Sequence, residues 1–207
     1  MRASAREIAS RVGKRYSEEL GIDVDSGKAG EAFKWLLASV LFCAPIREST
    51  AAKTYRVFER EGVLTPKKIL EVGWEGLVGM LDEGGYTRYD FKTADKLLEL
   101  AANLQEKWGG DLNALRAASK TREELERNLK ALARGVGDLT ASLFLREMRV
   151  AWGVEPTHSS YEEAGARALG IKSLHCLEER LLKRGWSKAE IIKLETALNE
   201  VGRKKRR

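Results

Sequence analysis

The sequence predicts an all-α fold. Apolar residues recur at three- and four-residue steps along most of the 207-residue chain, which is the spacing of one helix face. Alternating runs of β-branched residues, the usual sign of strands, are absent, and only 3 prolines occur. Glycines and capping residues divide the pattern into about a dozen short helices with short connections. No fixed period repeats, which excludes a solenoid.

The first third of the chain predicts two surface helices around a buried one. Residues 4–20 carry apolar side chains at four-residue steps and end at Gly21. Residues 31–42 are apolar nearly all round, which is typical of a central, buried helix. Pro45 ends that helix, because proline cannot continue the hydrogen-bond pattern. A third helix is expected over residues 47–61.

The middle of the chain predicts two short helices, an aromatic loop and a long helix. Thr65 and Pro66 supply an N-cap and a proline at the first helical position, and this helix ends at Gly73. A second short helix is expected over 74–81. A loop at 86–89 then leads into an amphipathic helix over 90–108.

The remaining chain predicts a pair of helices joined by a glycine loop, followed by terminal helices. Thr121 and Glu124 form a capping box. The helices expected in this part of the chain lie at 111–118, 121–132, 139–152, 160–170, 173–184 and 187–201.

Composition and charge limit the class of protein. The longest apolar run, 35–44, is too short to cross a bilayer, and residues 1–7 lack the apolar core of a signal peptide. We therefore expect a cytoplasmic protein with no membrane partner. The net charge is +6, but the last five residues, Arg203–Arg207, carry +5 and leave +1 for the rest. This tail either contacts phosphates or is a solvated end.

The 2 cysteines, Cys43 and Cys176, have no Cys or His partner at metal-ligand spacing. A cysteine-bound zinc or iron–sulfur site is therefore not expected, and no cofactor is predicted. We expect both thiols to be reduced and packed. A disulfide between them stays open, since sequence does not give their separation.

The stretch 132–141 reads Leu-Ala-Arg-Gly-Val-Gly-Asp-Leu-Thr-Ala and lies between two predicted helices. Two glycines around one small apolar residue permit a tight loop without side chains over its backbone groups. The helix that follows points unpaired N–H groups past the loop. That arrangement suits a phosphate. The alternative is an ordinary tight turn between helices.

The order of these motifs resembles the endonuclease III-like, helix-hairpin-helix DNA glycosylases. The resemblance runs from Phe33 to His158, and the stretches that share it are 36–41, 65–73, 85–86, 92–97 and 132–141. It implies one two-lobed helical unit over 1–207. One lobe would comprise about 30–137, and the other about 1–28 with 138–207. The expected partner of this monomer is damaged duplex DNA, with the target base turned out between the lobes.

The resemblance also implies which residues contact DNA. The hairpin would bind the backbone, and its carbonyls at 133–138 could hold a monovalent cation. We expect Asp138 to act as the N-cap of the second hairpin helix. The implied hairpin contacts are Arg134, Gly135, Val136, Gly137, Leu139 and Thr140. The implied base pocket or wedge residues are Pro45, Tyr86, Arg88 and Tyr89.

The chain departs from the family where the chemistry occurs. Leu139 stands where bifunctional members have a catalytic lysine, and Pro45 where they insert a glutamine. Pro156 stands where many members have an aspartate, which leaves Glu155 as the nearest carboxylate. A carboxylate there would stabilise the positive charge that develops on the sugar or orient a water. His158 is a second candidate, as a phosphate or water contact.

The family's four-cysteine cluster loop is also missing. The resemblance therefore implies a base-excision enzyme that hydrolyses an N-glycosidic bond and lacks lyase activity. Three alternatives remain: a non-catalytic DNA-binding module, a bifunctional enzyme with a lysine elsewhere, and a protein-interaction domain.

Overall fold

The computed structural model describes residues 4–10, 14–155 and 157–205. In this part of the chain there are twelve α-helices and no strand, which confirms the all-α prediction. The helices are α1 (Ala5–Ala9), α2 (Tyr16–Leu20), α3 (Ala29–Phe42), α4 (Glu48–Arg60), α5 (Pro66–Gly84), α6 (Asp90–Trp108), α7 (Leu112–Ala118), α8 (Arg122–Lys130), α9 (Asp138–Trp152), α10 (Ser160–Ala168), α11 (Leu174–Lys183) and α12 (Lys188–Lys205).

Helix α3 is the buried helix that its all-round apolar pattern predicts. Ten of its fourteen residues are buried, and it packs against α4, α7 and α9. The indole N–H of Trp35 donates to the carbonyl of Phe144 at 3.1 Å. This bond fixes α3 directly against α9, the helix that follows the glycine loop.

Two predicted boundaries differ from the structure. The two short helices expected on either side of Gly73 form one element, α5, with a kink at that residue (φ 70°, ψ −178°). Glycine accepts this left-handed φ at little cost. The single helix expected over 4–20 is instead α1 and α2, because Arg15 and Glu18 start a new helix at Tyr16. Residues 11–13 lie outside the described part of the chain.

Buried apolar side chains form two separate clusters. The first draws on α2 to α9. The second consists of Ile8 from α1 together with residues of α10, α11 and α12 and Trp186. Helix α1 packs on α12, so the two ends of the described chain share one core. Helix α2 and the apolar residues of α9 contribute to the first cluster, although the predicted lobes group both with the chain ends.

Charged side chains of α9 are buried beside the two apolar clusters. Arg146 Nη1 lies 2.8 Å from Glu162 Oε1 of α10, and Arg149 Nη2 lies 2.6 Å from Glu195 Oε1 of α12. Glu147 accepts the backbone N–H of Ser17 at 3.0 Å. Helix α9 is therefore bonded to α2, α10 and α12 through polar groups shielded from water.

The basic tail begins later than the sequence suggests. Helix α12 includes Arg203, whose guanidinium donates to the carbonyls of Phe42 at 3.1 Å and Ala44 at 3.4 Å. Arg203 is thus a structural residue, because it satisfies carbonyls at the end of α3. Residues 206 and 207 lie outside the described part of the chain.

Both cysteines are free thiols. Cys43 is partly buried, whereas Cys176 is exposed on α11, so the packing expected for Cys176 is wrong. Among the described residues, no helix combines the length and the apolar character that crossing a bilayer requires.

Candidate nucleic-acid interface

The loop between α8 and α9 is a tight, anchored hairpin. The N–H of Val136 donates to the carbonyl of Ala133 at 3.0 Å, and the side chain of Val136 is buried in the first apolar cluster. Gly135 has φ +90°, a conformation that side chains rarely adopt. The buried side chain of Val136 therefore fixes the loop to the first apolar cluster, while Arg134, Gly135 and Gly137 are exposed.

The N-terminus of α9 has no side-chain cap. Gly137 occupies the N-cap position, so the expectation that Asp138 is the N-cap is wrong. Asp138 is instead the first helical residue, with its side chain 91% exposed and 2.7 Å from Lys130 Nζ. Helices α5, α7, α8, α10 and α11 each have a capping Ser, Thr or Asp. The first-turn N–H groups of α9 thus lack the side-chain acceptor that those helices have.

The predicted cation site would use the carbonyls of the same loop. Two of the loop carbonyls are engaged, because those of Ala133 and Gly137 accept the N–H groups of Val136 and Ala141. Among the described residues, nothing donates a hydrogen bond to the carbonyls of 134–136. These three oxygens are the ones open to a cation, which remains a prediction.

Basic side chains surround the hairpin, and two of them, Lys96 and Lys130, were not predicted. Lys96 of α6 lies over Gly135: a Cβ placed on that glycine would come within 2.9 Å of the lysine Cε and 3.4 Å of its Nζ. The backbone N–H of Arg134 donates to Glu99, also on α6, at 2.9 Å. Helical spacing predicts α6 but does not show that its middle lies under the hairpin.

Two of the predicted hairpin contacts point inward. The side chains of Val136 and Thr140 are buried, and the Thr140 hydroxyl hydrogen-bonds with the thiol of Cys43. Burial raises the pKa of that thiol to about 11 in spite of this bond. Leu139 is half-buried. A ligand at the loop would therefore meet backbone groups at Val136 and Thr140 rather than their side chains.

A cavity of about 230 Å³ lies beside the start of α9. It brings Leu139 together with His158, which the sequence also singled out, and with Thr157 and Glu126, which it did not. The cavity is lined by Glu126, Asp138, Leu139, Ala141, Ser142, Thr157, His158, Ser159 and Ser160.

Hydrogen bonds hold the loop after α9 against this cavity. Thr157 donates its hydroxyl to Glu126 Oε1 at 2.9 Å, and the Ser142 hydroxyl donates to the Thr157 carbonyl at 2.7 Å. Ser159 then caps α10 in a capping box with Glu162. The segment 157–160 therefore lies next to the first turns of α9.

Glu155, the predicted catalytic carboxylate, lies at the opposite end of α9. The fifteen residues of α9 span about 22 Å, and Glu155 is not among the residues that line the cavity beside the hairpin. Its side chain is 57% exposed and pairs with Arg149 Nε at 3.0 Å and Lys188 Nζ at 3.1 Å. The structure thus does not bring Glu155 to the hairpin. Pro156, at the family's aspartate position, lies outside the described residues.

His158 belongs to a buried charge network. Its Nε2 lies 3.0 Å from Glu178 Oε1 and 3.5 Å from Glu195 Oε1. Burial by itself would lower the pKa of His158, but the bonds and charges of Glu178 and Glu195 outweigh it and raise the pKa to about 10. At neutral pH the ring is therefore a cation facing inward, which makes it a poor proton acceptor.

The side chains of His158, Glu178 and Glu195 also have a spacing that suits a metal ion, since their ligand atoms lie within 4.8 Å of one another. Arg149, however, already contacts Glu195 at 2.6 Å. Together with the protonated His158 it balances the charges of the two carboxylates. We therefore interpret this cluster as an ion-pair network.

The structure corrects the assignment of Tyr86 to a base pocket. Its ring is 1% exposed, and its hydroxyl donates to the carbonyl of Leu41 at 2.7 Å, so it has no free face to stack on a base. Pro45 and Arg88 are exposed and Tyr89 is half-buried. The guanidinium of Arg88 lies 5.8 Å from the ring centre of Tyr89.

Two exposed aromatic residues, one before and one after the Tyr86–Tyr89 loop in the sequence, have their rings in contact. Trp74 and Phe91 are 39% and 57% exposed, and their ring centres are 5.2 Å apart. Either ring is more accessible than Tyr86 to a base or a partner surface.

No protein-family model matches the chain, and comparison with curated proteins and with solved structures gave no significant match.

Proposed function

We propose that this chain is a base-excision repair protein, built as a two-lobed helix-hairpin-helix glycosylase, that acts on a damaged or mismatched nucleotide in duplex DNA. The observation that carries the proposal is the hairpin itself. An exposed glycine loop leads into a helix without a side-chain cap, and Lys96, Lys130 and Arg134 surround it.

This arrangement suits a phosphate for three physical reasons. The first-turn N–H groups of α9 point outward, and the helix dipole adds a partial positive charge there. Gly135 and Gly137 place no side chain over the loop backbone. Lys130 pairs with Asp138 and so offsets the negative charge of that side chain. Such contacts are independent of base sequence, as a search for rare lesions requires.

The cavity beside the hairpin supplies the acid groups that glycosidic cleavage needs. Breaking that bond builds positive charge on the sugar, and a fixed carboxylate stabilises it. Glu126 and Asp138 line the cavity, whereas Glu155 does not and is paired with Arg149 and Lys188. We therefore assign this role to Glu126 or Asp138 in preference to Glu155.

A single substitution tests DNA binding by the hairpin. Gly137→Asp places a carboxylate at the N-cap, which stabilises a helix but occupies its N–H groups and repels phosphate. No atom lies within 4 Å of a Cβ at this position, so folding is preserved. We expect at least tenfold weaker binding to an abasic-site duplex in a low-salt gel shift, equivalent to about 1.4 kcal/mol.

The matched control is Gly30→Asp, which adds the same charge near the N-terminus of α3, where a Cβ also has no neighbour within 4 Å. That terminus follows Gly27, which lies against Ala151 near the far end of α9. Equal affinities of the two variants, or no binding by the unmodified protein, would contradict the hairpin assignment.

Chemistry is tested with a panel of uracil, 8-oxoguanine, alkylated and mismatched duplexes. We expect alkali-labile strand breaks on one of them, lost in Glu126→Gln or Asp138→Asn and retained in Glu155→Gln. Loss in Glu155→Gln alone would return the catalytic role to the residue predicted from the sequence.

A second candidate is a non-catalytic DNA-binding module on the same scaffold. Two observations favour it: Leu139 replaces the family's lysine, and two cations already engage Glu155. Lesion-independent binding without any product on the panel would support this module.

A further inference from the structure

A cavity of about 450 Å³ lies between α7, the start of α8 and the segment 153–155. We refer to it as the α7–α8 cleft. It is larger than the cavity beside the hairpin and shares no lining residue with it. Gly153 forms part of its wall, and a Cβ built on that glycine would meet no atom within 4 Å. The proposed function gives this cleft no role.

The side chains that line the cleft carry an excess of positive charge. Its cations are Arg116, Lys120 and Arg122, and its carboxylates are Glu123 and Glu155. Arg122 lies 2.7 Å from Glu123 and pairs with it. Glu155 is engaged by two cations that do not line the cleft. Two cations, Arg116 and Lys120, are therefore left without a carboxylate of the cleft to neutralise them.

Arg116 is held in place without an anionic partner. Its Nη1 donates to the carbonyl of Ser119 at 3.3 Å, and its Nη2 donates to the carbonyl of Trp152 at 3.5 Å. Among the described residues its side chain forms no ion pair, and its Nε is buried without a hydrogen-bond partner. A guanidinium carries more N–H groups than these two bonds use. Arg116 is thus both positioned by the fold and able to bind an anion.

Lys120 supplies the second charge from the residue before the N-cap of α8. Its side chain is exposed, and within the described part of the chain its ammonium forms no hydrogen bond and no ion pair. Only its backbone N–H is engaged, by Glu124 Oε2 at 2.8 Å. The ammonium is therefore available to a ligand that Arg116 holds.

We propose that the α7–α8 cleft binds a phosphate monoester. Such a group carries about two negative charges at pH 7, which matches the two cations that lack a carboxylate. Arginine binds phosphate through two parallel N–H bonds, and lysine binds it as a point charge. A carboxylate or an internal phosphate of a DNA strand carries only one negative charge. The cleft also has the volume of a small-molecule site, so it has room for part of the molecule that bears the phosphate.

NMR spectra of the backbone amides test the location of the site. Inorganic phosphate is added to the full chain at constant ionic strength. We expect the signals of Lys120, Arg122 and Gly153 to shift until they saturate. Because the hairpin is itself proposed to contact phosphate, the signals of Gly135 and Gly137 are followed separately and do not count toward the cleft.

Substitutions test the role of the two cations. We expect Lys120→Gln, at an exposed position, to weaken phosphate binding at the cleft by about tenfold, and Lys120→Arg to stay within about threefold of the unmodified protein. Arg116→Gln should weaken it by at least about tenfold. Because Arg116→Gln also loses bonds to two carbonyls, its folding is checked by thermal unfolding, and the Lys120 variants decide the test if it is unfolded.

The matched control is Arg127→Gln, on the same helix but outside the cleft, with a side chain that is 70% exposed in the unmodified protein. It should bind phosphate within about twofold of the unmodified protein. No saturable shift at the cleft, or equal affinities of Lys120→Gln and Arg127→Gln, would overturn the proposal.

Two pairs of probes distinguish the sources of such a group. Adenosine 5′-monophosphate is compared with adenosine, and a gapped duplex with a 5′ phosphate is compared with the same duplex ending in a 5′ hydroxyl. A preference for the mononucleotide that Lys120→Gln abolishes indicates a free small molecule, and the same result for the duplex indicates a strand end. If neither pair shows a preference for phosphate, the proposal fails. The hairpin assignment is tested by Gly137→Asp, so either proposal can fail while the other stands.

Discussion

His158 has a different environment from the one its position in a loop suggests. The sequence places it in the segment that follows the second hairpin helix, where a phosphate or water contact was the natural interpretation. The structure shows its Nε2 facing Glu178 and Glu195, which come from α11 and α12. Both partners lie twenty or more residues further along the chain, so no local pattern could have paired them with this histidine.

The raised pKa of His158 predicts pH-dependent stability. The folded pKa of about 10 exceeds the ordinary value of about 6.5. The protonated ring therefore stabilises the fold fully below about pH 6.5, and this contribution is lost as pH rises through 10. We expect the free energy of unfolding, measured with urea, to fall by about 3–4 kcal/mol between pH 7 and 10 from this residue.

The control for this prediction is His158→Gln, which keeps a donor but does not titrate in this range. The difference between the two pH profiles isolates the histidine from other groups that lose protons. Parallel profiles between pH 7 and 10 would show that the ring is not held as a cation.

Helices α10 and α12 approach so closely that glycine is required on both. A Cβ on Gly165 of α10 would overlap the carbonyl of Leu198, and a Cβ on Gly202 of α12 would overlap the carbonyl of Tyr161. Because each of these contacts is with backbone atoms, no flexible side chain can move aside to make room. The sequence shows these glycines only as interruptions of helical patterns, since their role depends on the partner helix.

We expect Gly165→Ala to destabilise the protein by about 2 kcal/mol or more, because overpacking a tight contact forces the helices apart. Gly79→Ala in α5 is the matched control, since a Cβ there meets nothing within 4 Å. It should be neutral or stabilise by up to about 1 kcal/mol. Thermal unfolding followed by circular dichroism measures both, and equal melting temperatures would disprove the close approach.

Local sequence signals predicted where individual helices lie, but they did not predict which helices pack against one another. The buried pattern of α3, the Thr65 and Thr121 caps and the glycine loop were all readable, because each depends on residues close in sequence. The sequence predicted only some of the residues that line the cavity beside the hairpin. Glu126 and Lys96 reach this region from other helices, and helical periodicity does not say which helix faces which.

At the scale of the whole molecule, α9 joins the two apolar clusters through charge as well as packing. Its apolar residues belong to the first cluster, while Arg146 and Arg149 bond to α10 and α12. Arg146 is 1% exposed, and its guanidinium also lies 5.6 Å from the ring centre of Tyr16. The hairpin therefore leads directly into the helix that connects the two apolar clusters.

We expect Arg146→Met to destabilise the protein by about 3–5 kcal/mol, because it leaves Glu162 and Glu147 buried without their cation. Arg127→Met, whose side chain is 70% exposed in the unmodified protein, should change stability by less than about 0.5 kcal/mol. Urea unfolding midpoints compare the two. A small effect at Arg146 would mean that the carboxylates are protonated or hydrated in the fold.

The pairing of α1 with α12 in one core has a consequence for how the chain matures on the ribosome. Ile8 is synthesised long before residues 191–198, whose apolar side chains share its cluster. The first cluster can assemble from residues up to about 154, whereas the second must wait for nearly the entire described chain. A chain that has been synthesised only as far as α11 therefore leaves Ile8 of α1 exposed to chaperones and proteases.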